Sequence, residues 1–439
     1  MKIMKFGGTS VGKPERMHQV YELITKDTES KIVVLSALSG TTNALVDISN
    51  SLSAGNKTEA KQKIDTLEAH YHAFVLDLLK TEALIAKGNA IVKEHFEFLN
   101  IITKISFSDA LNKDILAQGE LMSTKLFCCY LEQQGQDHLL LPALDFMVLD
   151  QNEEPNLPLI RSKLTALLAA HTDKKIFITQ GYICKNVRGE VDNLKRGGSD
   201  YTASLVAAAC NASVCEIWTD IDGMHNNDPR VVDRTRPIAE LSFDEAAELA
   251  YFGAKILHPA SIWPAQLHNV PVRLLNTMDP AAAGTLIKAE VAETGVKAIA
   301  AKDGITAINI KSSRMLLAYG FLRRIFEVFE SFKTPIDMIT TSEVAVSVTI
   351  DDLSHLDQIV EELRRFGTVE VDSNQAIVCV VGNQVAETKG AIQSVMDSLV
   401  DIPVRMVSFG GSKHNVSILI DAQYKVQALK NLNEGVFTW

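Results

Sequence analysis

The chain has 439 residues, of which 46% are hydrophobic and 22% charged, and its 43 basic and 54 acidic side chains leave a net charge of -11. That length supports two or three domains with separate cores. The acidic balance excludes a general nucleic-acid binder, which needs a positive field to meet phosphates, but not a nucleotide met by a few local cations and Mg2+.

Over roughly the first 275 residues, short β-branched runs alternate with helical patterns. Strands are expected at 3–6, 31–35, 175–179, 214–218 and 270–275. A helix follows Pro14, with Met17, Val20, Tyr21 and Ile24 on one face. This alternation predicts an α/β sandwich around a mainly parallel sheet. Residues 57–104 are polar, poor in glycine, and carry Ile64, Leu67, Tyr71, Phe74 and Leu78 at helical spacing. They are expected to form an inserted helical hairpin that serves as scaffold. MDPAAAG at 278–284 has the composition of a linker. Beyond it the segment 334–351 (TPIDMITTSEVAVSVTID) matches 402–421 (IPVRMVSFGGSKHNVSILID). Helical patterns flank each copy, at 321–332 and 353–366 and again at 385–399 and 424–432. Strand–helix–strand–strand–helix order, met twice, predicts two ferredoxin-like units side by side.

The opening MKIMKFGGTSVGK has no apolar signal core, and no run of about 18 apolar residues occurs anywhere, so a cytoplasmic protein without membrane segments is expected. The six cysteines have neither CxxC nor zinc-site spacing and are expected to be reduced and mostly buried.

The loop after the first strand, Gly7-Gly8-Thr9-Ser10-Val11-Gly12-Lys13, nearly spells a Walker A motif. Pro14 stands where that motif needs a hydroxyl for Mg2+, which excludes a P-loop NTPase. The elements of a phosphate cradle remain: two glycines for close backbone approach, N–H groups at a helix start, and Lys5 two residues upstream. SALSGTTN at 36–43 closes the next strand, with Thr42 or Asn43 expected as a helix cap. Arg196-Gly197-Gly198-Ser199-Asp200 is a second glycine loop entering a helix, and its fixed cation suits an anionic ligand. The stretch from Thr219 and Asp220 to Arg230 follows a strong strand, and Lys255 lies in FGAKILHP after a helix that starts near Ser242. No nucleophile triad or metal-ligand cluster stands out.

KFGGTSV, SALSGTTNAL, RGGSDYTA, TDIDGMHNNDPR, FGAKILHP and ITTSEV, in that order and spread over essentially the whole chain, resemble the aspartate kinase family. The resemblance implies an amino-acid-kinase three-layer sandwich at 1–280, with the insertion at 57–104. Two intertwined ferredoxin-like ACT domains would follow at 300–375 and 376–439. It implies transfer of the γ-phosphoryl group of ATP, with Mg2+ held through phosphates and water, to the aspartate side chain. Lys5, Phe6, Gly7 and Gly8 would hold the phosphates. Thr42, Glu120, Arg196, Gly197, Gly198 and Ser199 would form the aspartate pocket, with Asp200 orienting Lys5. Thr219, Asp220, His225, Arg230, Lys255 and Ile256 would line the ATP side, His225 standing where many relatives carry tyrosine.

In the ACT half, the first copy offers Asp337 beside Thr340, Thr341, Ser342 and Glu343, whereas the second has Arg405 at the matching position. An acidic pocket in one copy predicts a cationic amino acid, lysine, as feedback inhibitor. Met315, Gly320, Phe321 and Leu322 complete the pocket, the helix start taking the effector's carboxylate. Threonine is the alternative effector, because Leu317 stands where lysine-regulated relatives often carry histidine. A monofunctional enzyme, homodimeric or larger through the ACT half, is the expectation. Two rivals stand beside it: another amino-acid kinase, such as one acting on glutamate or N-acetylglutamate, and a catalytically silent amino-acid sensor.

Overall fold

The computed structural model describes residues 1–195, 197–253, 257–312, 315 and 319–437. The chain divides into two compact units, Met1–Met224 with Leu257–Ala289, and His225–Ile256 with Glu290–Trp439.

The first unit begins with β1 (Lys2–Phe6), a one-turn α1 (Gly8–Val11), α2 (Pro14–Thr25), β2 (Lys31–Leu35) and α3 (Thr41–Ser53). A long helical stretch follows: α4 (Lys57–Leu78), α5 (Glu82–Ile102) and α6 (Asp109–Gln133). Then come β3 (Leu139–Leu140), α7 (Ala143–Phe146), α8 (Leu157–Ala169) and β4 (Ile176–Gln180). A hairpin of β5 (Ile183–Lys185) and β6 (Val191–Asn193) leads to α9 (Gly198–Cys210) and β7 (Cys215–Thr219). After β8 (Glu240–Ser242) and α10 (Phe243–Tyr251), which belong to the second unit, the chain returns with α11 (Pro259–Leu267), β9 (Val272–Asn276) and β10 (Thr285–Lys288).

Strands of the first unit are ordered β3-β4-β2-β1-β7-β9-β10, all parallel except β10, which runs antiparallel to β9. Every residue of β2 (KIVVL) and β4 (IFITQ) is buried, as expected of interior parallel strands covered on both faces. Pro14 starts α2 at its first turn, and Met17, Val20, Leu23 and Ile24 are its buried stripe. Helix α4 buries Ile64, Leu67, Tyr71, Phe74 and Leu78, and these join one core with residues of α3, α5 and α6. The start of α3 differs from expectation. Gly40, at φ 81°, occupies the cap position and no side chain caps the helix, because the sharp left-handed turn there favours glycine over Thr42 or Asn43.

The second unit continues with β11 (Gly295–Lys311), α12 (Phe321–Ser331), β12 (Ile339–Thr341), β13 (Ala345–Ile350) and α13 (Leu356–Leu363). The same order recurs in β14 (Thr368–Asn383), α14 (Ala391–Ser398), β15 (Val404–Phe409), β16 (Asn415–Asp421) and α15 (Lys425–Val436). Its sheet is antiparallel throughout, ordered β12-β13-β11-β14-β16-β15, with the two long strands β11 and β14 paired at the centre. Each copy keeps its own apolar core, built from α12 and α13 in the first and from α14 and α15 in the second.

The segment 225–256 is tied into this unit by buried polar contacts. Asn227 donates to the Leu429 carbonyl at 3.0 Å and to Asn433 Oδ1 at 3.1 Å, and the fully buried Asn433 donates to the Arg234 carbonyl. Helix α10 opens with a capping box formed by Ser242 and Glu245. Three of its residues then reach the sheet or its loops. Glu245 pairs with Lys297 at 3.2 Å in a buried ion pair, Glu248 accepts from Asn415, and Tyr251 donates to Asp337 at 2.6 Å.

The central β11–β14 pairing runs from Gly295↔Asn383 to Lys311↔Thr368. At its end a Cβ on Gly382 would lie 1.9 Å from the Gly295 carbonyl oxygen, so backbone itself occupies the space. Gly382→Ala is therefore expected to destabilise the chain by about 3 kcal/mol, seen as a lower denaturation midpoint. An unchanged midpoint would contradict the close approach.

Candidate active site

Parallel register brings the carboxyl ends of the central strands level: Phe6 pairs with Leu35 and with Trp218, and Leu35 with Gln180. The loops that leave these ends hold most of the sequence motifs, the usual place for ligands in such sheets. Lys5, near the end of β1, sets its ammonium 2.6 Å from Asp200 Oδ1. Asp200 lies in the first turn of α9, entered through Gly197 at φ 62°. A Cβ on Gly7 would stand 3.4 Å from the Lys5 ammonium, and one on Gly8 would stand 3.1 Å from the Ala37 carbonyl. The glycines thus leave the lysine open and let the turn lie on the 36–40 loop. Phe6 is buried and stacks on Trp218 at 5.8 Å.

On the far side of the 36–40 loop is Glu120, on α6 and only 3% exposed. Its Oε1 accepts from the Ala37 N–H at 3.3 Å, and Oε2 has no partner among the described residues. Burial, only partly opposed by that backbone donor, pushes its pKa up to about 8. Ser199, at the start of α9, accepts a 2.9 Å hydrogen bond from Ser36, whose carbonyl in turn accepts from Ser123. A Cβ on Gly181 would strike Ser199 at 2.3 Å, which explains the glycine after β4. Thr42 sits half-buried one residue into α3. Lys5, Gly7, Gly8, Asp200, Ser199, Glu120 and Thr42 are thereby gathered around the loops at the carboxyl ends of the central strands, while Arg196 lies outside the described residues.

Sequence reasoning missed Ser36, Ser123 and Tyr182. Tyr182 follows Gly181 in left-handed backbone, φ 68°, uncommon for a bulky residue and often found where structure holds a side chain to a purpose. Burial, then the charge of Glu120, raises its phenol pKa, which places it in the field of that acid. The one sequence signal was the Gly-Tyr pair at a strand end.

Of the residues expected on the ATP side, Thr219 and Asp220 lie at the end of β7 in the first unit, joined by a 3.2 Å hydrogen bond. His225 and the exposed Arg230 belong to the second unit, where Arg230 clasps Asp228 with two hydrogen bonds of 2.8 and 2.9 Å. Lys255 and Ile256 lie outside the described residues. Among the described residues no three His, Cys, Asp or Glu side chains gather as a metal site, and none of the helices is long and apolar enough to cross a membrane. All six cysteines are free thiols.

In the ACT half, Gly320 at φ 76° begins α12, with Phe321 buried and Leu322 exposed. Met315 is half-buried and contributes to the core of that copy. Thr341, Ser342 and Glu343 are exposed, and the Ser342 N–H donates to the Ala345 carbonyl in a tight turn. Asp337 is not a solvated loop residue: its side chain is 1% exposed, 2.7 Å from the Lys302 ammonium and 2.6 Å from the Tyr251 hydroxyl. Burial opposes the charge on Lys302, but Asp337 and Asp351 outweigh it and hold the Lys302 pKa above its ordinary value. The first copy thus already seats one internal ammonium on its acid. Leu317 lies outside the described residues.

The raised pKa of Glu120 has a consequence for stability. Between about pH 4.5 and pH 8 the unfolded chain has released a proton that the folded protein retains, so this group destabilises the fold progressively as pH rises. Glu120→Gln cannot ionise, and its melting temperature is expected to climb relative to the unsubstituted protein from pH 5 to pH 8. A constant difference across that window would show that Glu120 titrates normally.

Comparison with known proteins bears on the same arrangement. The model of the amino acid kinase family matches residues 1–276, and that of the ACT domain matches residues 378–435. Lysine-sensitive aspartokinase 3 of Escherichia coli is 32% identical over 99% of each chain. The chloroplastic aspartokinase 3 of Arabidopsis thaliana is 34% identical over 99% of this chain and 81% of its own. The crystal structure of E. coli aspartokinase III with aspartate and ADP superposes with a TM-score of 0.84 at 31% identity, covering all of both chains. Its T-state structure with lysine and aspartate gives 0.83 at 32% identity. With kinase-fold and ACT regions in the same order and similarity along its whole length, the chain belongs to the aspartokinase family.

Proposed function

We propose that the chain transfers the γ-phosphoryl group of ATP to the side-chain carboxylate of aspartate, giving 4-phospho-aspartate. This is the first step toward lysine, threonine and methionine. The observation that carries the reading is the Lys5–Asp200 pair beside the Gly7-Gly8 turn, one loop away from the buried acid Glu120. The aspartate carboxylate, with an ordinary pKa of about 4, is already ionised at neutral pH, so the reaction needs no general base. It needs in-line positioning and cancellation of charge on the phosphoryl oxygens. Lys5 supplies a cation held in place by Asp200, and the turn at Gly7 and Gly8 supplies backbone N–H groups. ATP arrives as its Mg2+ complex, the metal held through phosphates and water. Thr219, Asp220, His225, Arg230, Lys255 and Ile256 serve the nucleotide.

Arg196, Gly197, Gly198, Ser199 and Thr42 receive the aspartate carboxylates, the guanidinium in bidentate fashion. Glu120 meets the α-ammonium. Protonated in the empty pocket, it ionises against that cation, so aspartate binding releases a proton.

Lysine is the feedback effector, bound in the first ACT copy by Met315, Gly320, Phe321, Leu322, Asp337, Thr341, Ser342 and Glu343. Its side-chain ammonium competes with that of Lys302 for Asp337, which supports a cationic ligand over threonine. The catalytic region spans 1–280 with the insertion at 57–104, and the ACT copies 300–375 and 376–439. The protein is cytoplasmic and forms a homodimer or larger assembly through the ACT half, where Leu322, Phe326 and Ile339 leave apolar surface exposed.

Incubation with MgATP, hydroxylamine and either aspartate or glutamate is expected to give hydroxamate from aspartate alone, suppressed by added lysine. Product from glutamate instead would mark a different amino-acid kinase, and no product from folded protein would favour a silent sensor. Asp200→Asn, which frees Lys5, is expected to lower kcat about 100-fold. Steady-state kinetics with unaltered kcat would remove Asp200 from the mechanism.

A further inference from the structure

The inserted hairpin of α4 and α5 is expected from sequence to be scaffold, yet one side chain from it reaches the loop that borders the candidate aspartate pocket. Tyr71 of α4 is fully buried, and its hydroxyl shares a 3.0 Å hydrogen bond with Thr41 Oγ1, itself 1% exposed. Thr41 is the first residue of α3, next to Thr42, and its N–H donates to the Leu38 carbonyl to close the turn. From the opposite side α6 presses on the same loop: a Cβ on Gly119 would lie 2.7 Å from the Ala37 side chain and 3.2 Å from that of Thr41. Glu120, the next residue, accepts from the Ala37 N–H. The loop is therefore clamped between the Tyr71 hydroxyl and α6, and the clamp sets where Thr42 and the Ala37 N–H stand relative to Glu120.

We propose that Tyr71 is a positioning residue for the amino-acid substrate, holding the Ser36–Thr42 loop against Glu120 through Thr41. This rests on the reading of Thr42 and Glu120 as the aspartate pocket. The ring packs against Phe96 at 5.8 Å, and the hydroxyl in addition ties α4 to the first residue of α3. Here the hydroxyl is buried against a second buried hydroxyl, and among the described residues each would be left unsatisfied without the other. Burial, only partly opposed by the hydrogen bond to Thr41, keeps the phenol protonated and able to donate.

Tyr71→Phe keeps the ring in its slot and removes only the hydrogen bond. The aspartate KM is expected to rise about fivefold with the ATP KM little changed, while the melting temperature falls by a few degrees because the buried Thr41 hydroxyl loses its partner. Thr41→Val removes the bond from the other side and should give the same selective rise, the double variant being no worse than either single one. The idea is overturned if the aspartate KM stays put in both single variants, or if both substrates' KM values rise together. Glu120→Gln separates this inference from the reading beneath it. If Glu120→Gln raises the aspartate KM and Tyr71→Phe does not, the positioning role alone fails. If Glu120→Gln leaves the aspartate KM unchanged, the pocket itself has been misplaced.

Discussion

Parallel hydrogen bonding among β4, β2, β1 and β7 is the constraint on which the candidate chemistry depends. Because these strands run in the same direction with their ends level at Leu35, Phe6, Trp218 and Gln180, the chain must leave the sheet at one edge each time. Turns at Gly7, Ser36 and Gly181 are brought together by that fact alone, with no need for local sequence signals to find one another. The price is burial of β2 and β4 on both faces, which only a covered α/β sandwich can satisfy.

The same edge concentrates polar groups at low exposure. Lys5 is matched by Asp200, Ser199 by Ser36, and Thr41 by Tyr71, all within hydrogen-bonding distance. Glu120 stands apart, with one oxygen served by a single backbone donor and the other by none of the described residues. An acid left short of partners in a buried place keeps its proton at neutral pH until a cation reaches it and favours the ionised form. On the proposed reading of Glu120, stability is given up there for recognition, the usual relation between a fold and its ligand pocket.

Local periodicity carried much of the architecture. The β-branched runs that end near Phe6, Leu35 and Trp218 became strands, and Ile64, Leu67, Tyr71, Phe74 and Leu78 lie along the buried stripe of α4. The repeat at 334–351 and 402–421 was visible as similarity and folds as two like copies. Features set by contacts distant in sequence were not legible. Nothing near Asp337 announces that Lys302 and Tyr251 will hold it, and nothing near Tyr71 announces Thr41. The left-handed turn at Gly40 was hidden by the more obvious capping side chains after it. The family resemblance singled out Glu120, but its weakened acidity comes from burial that no motif encodes.

The two copies of the ACT half lie side by side in one sheet, yet they are not separable modules. The 17-residue strand β11 and the 16-residue β14 form the middle of a single sheet, and each serves both cores, Ile299 and Val378 one of them, Ile308 and Val369 the other. A chain stopped at residue 375 would cut β14 in half and leave Gly295–Lys302 of β11 without a partner, the kind of open edge that recruits other strands and aggregates. Duplication of a small unit has thus passed into dependence: neither copy can now be lost. Substitutions along the shared seam must suit both lineages of the repeat at once, while the outer strands and helices remain free to diverge.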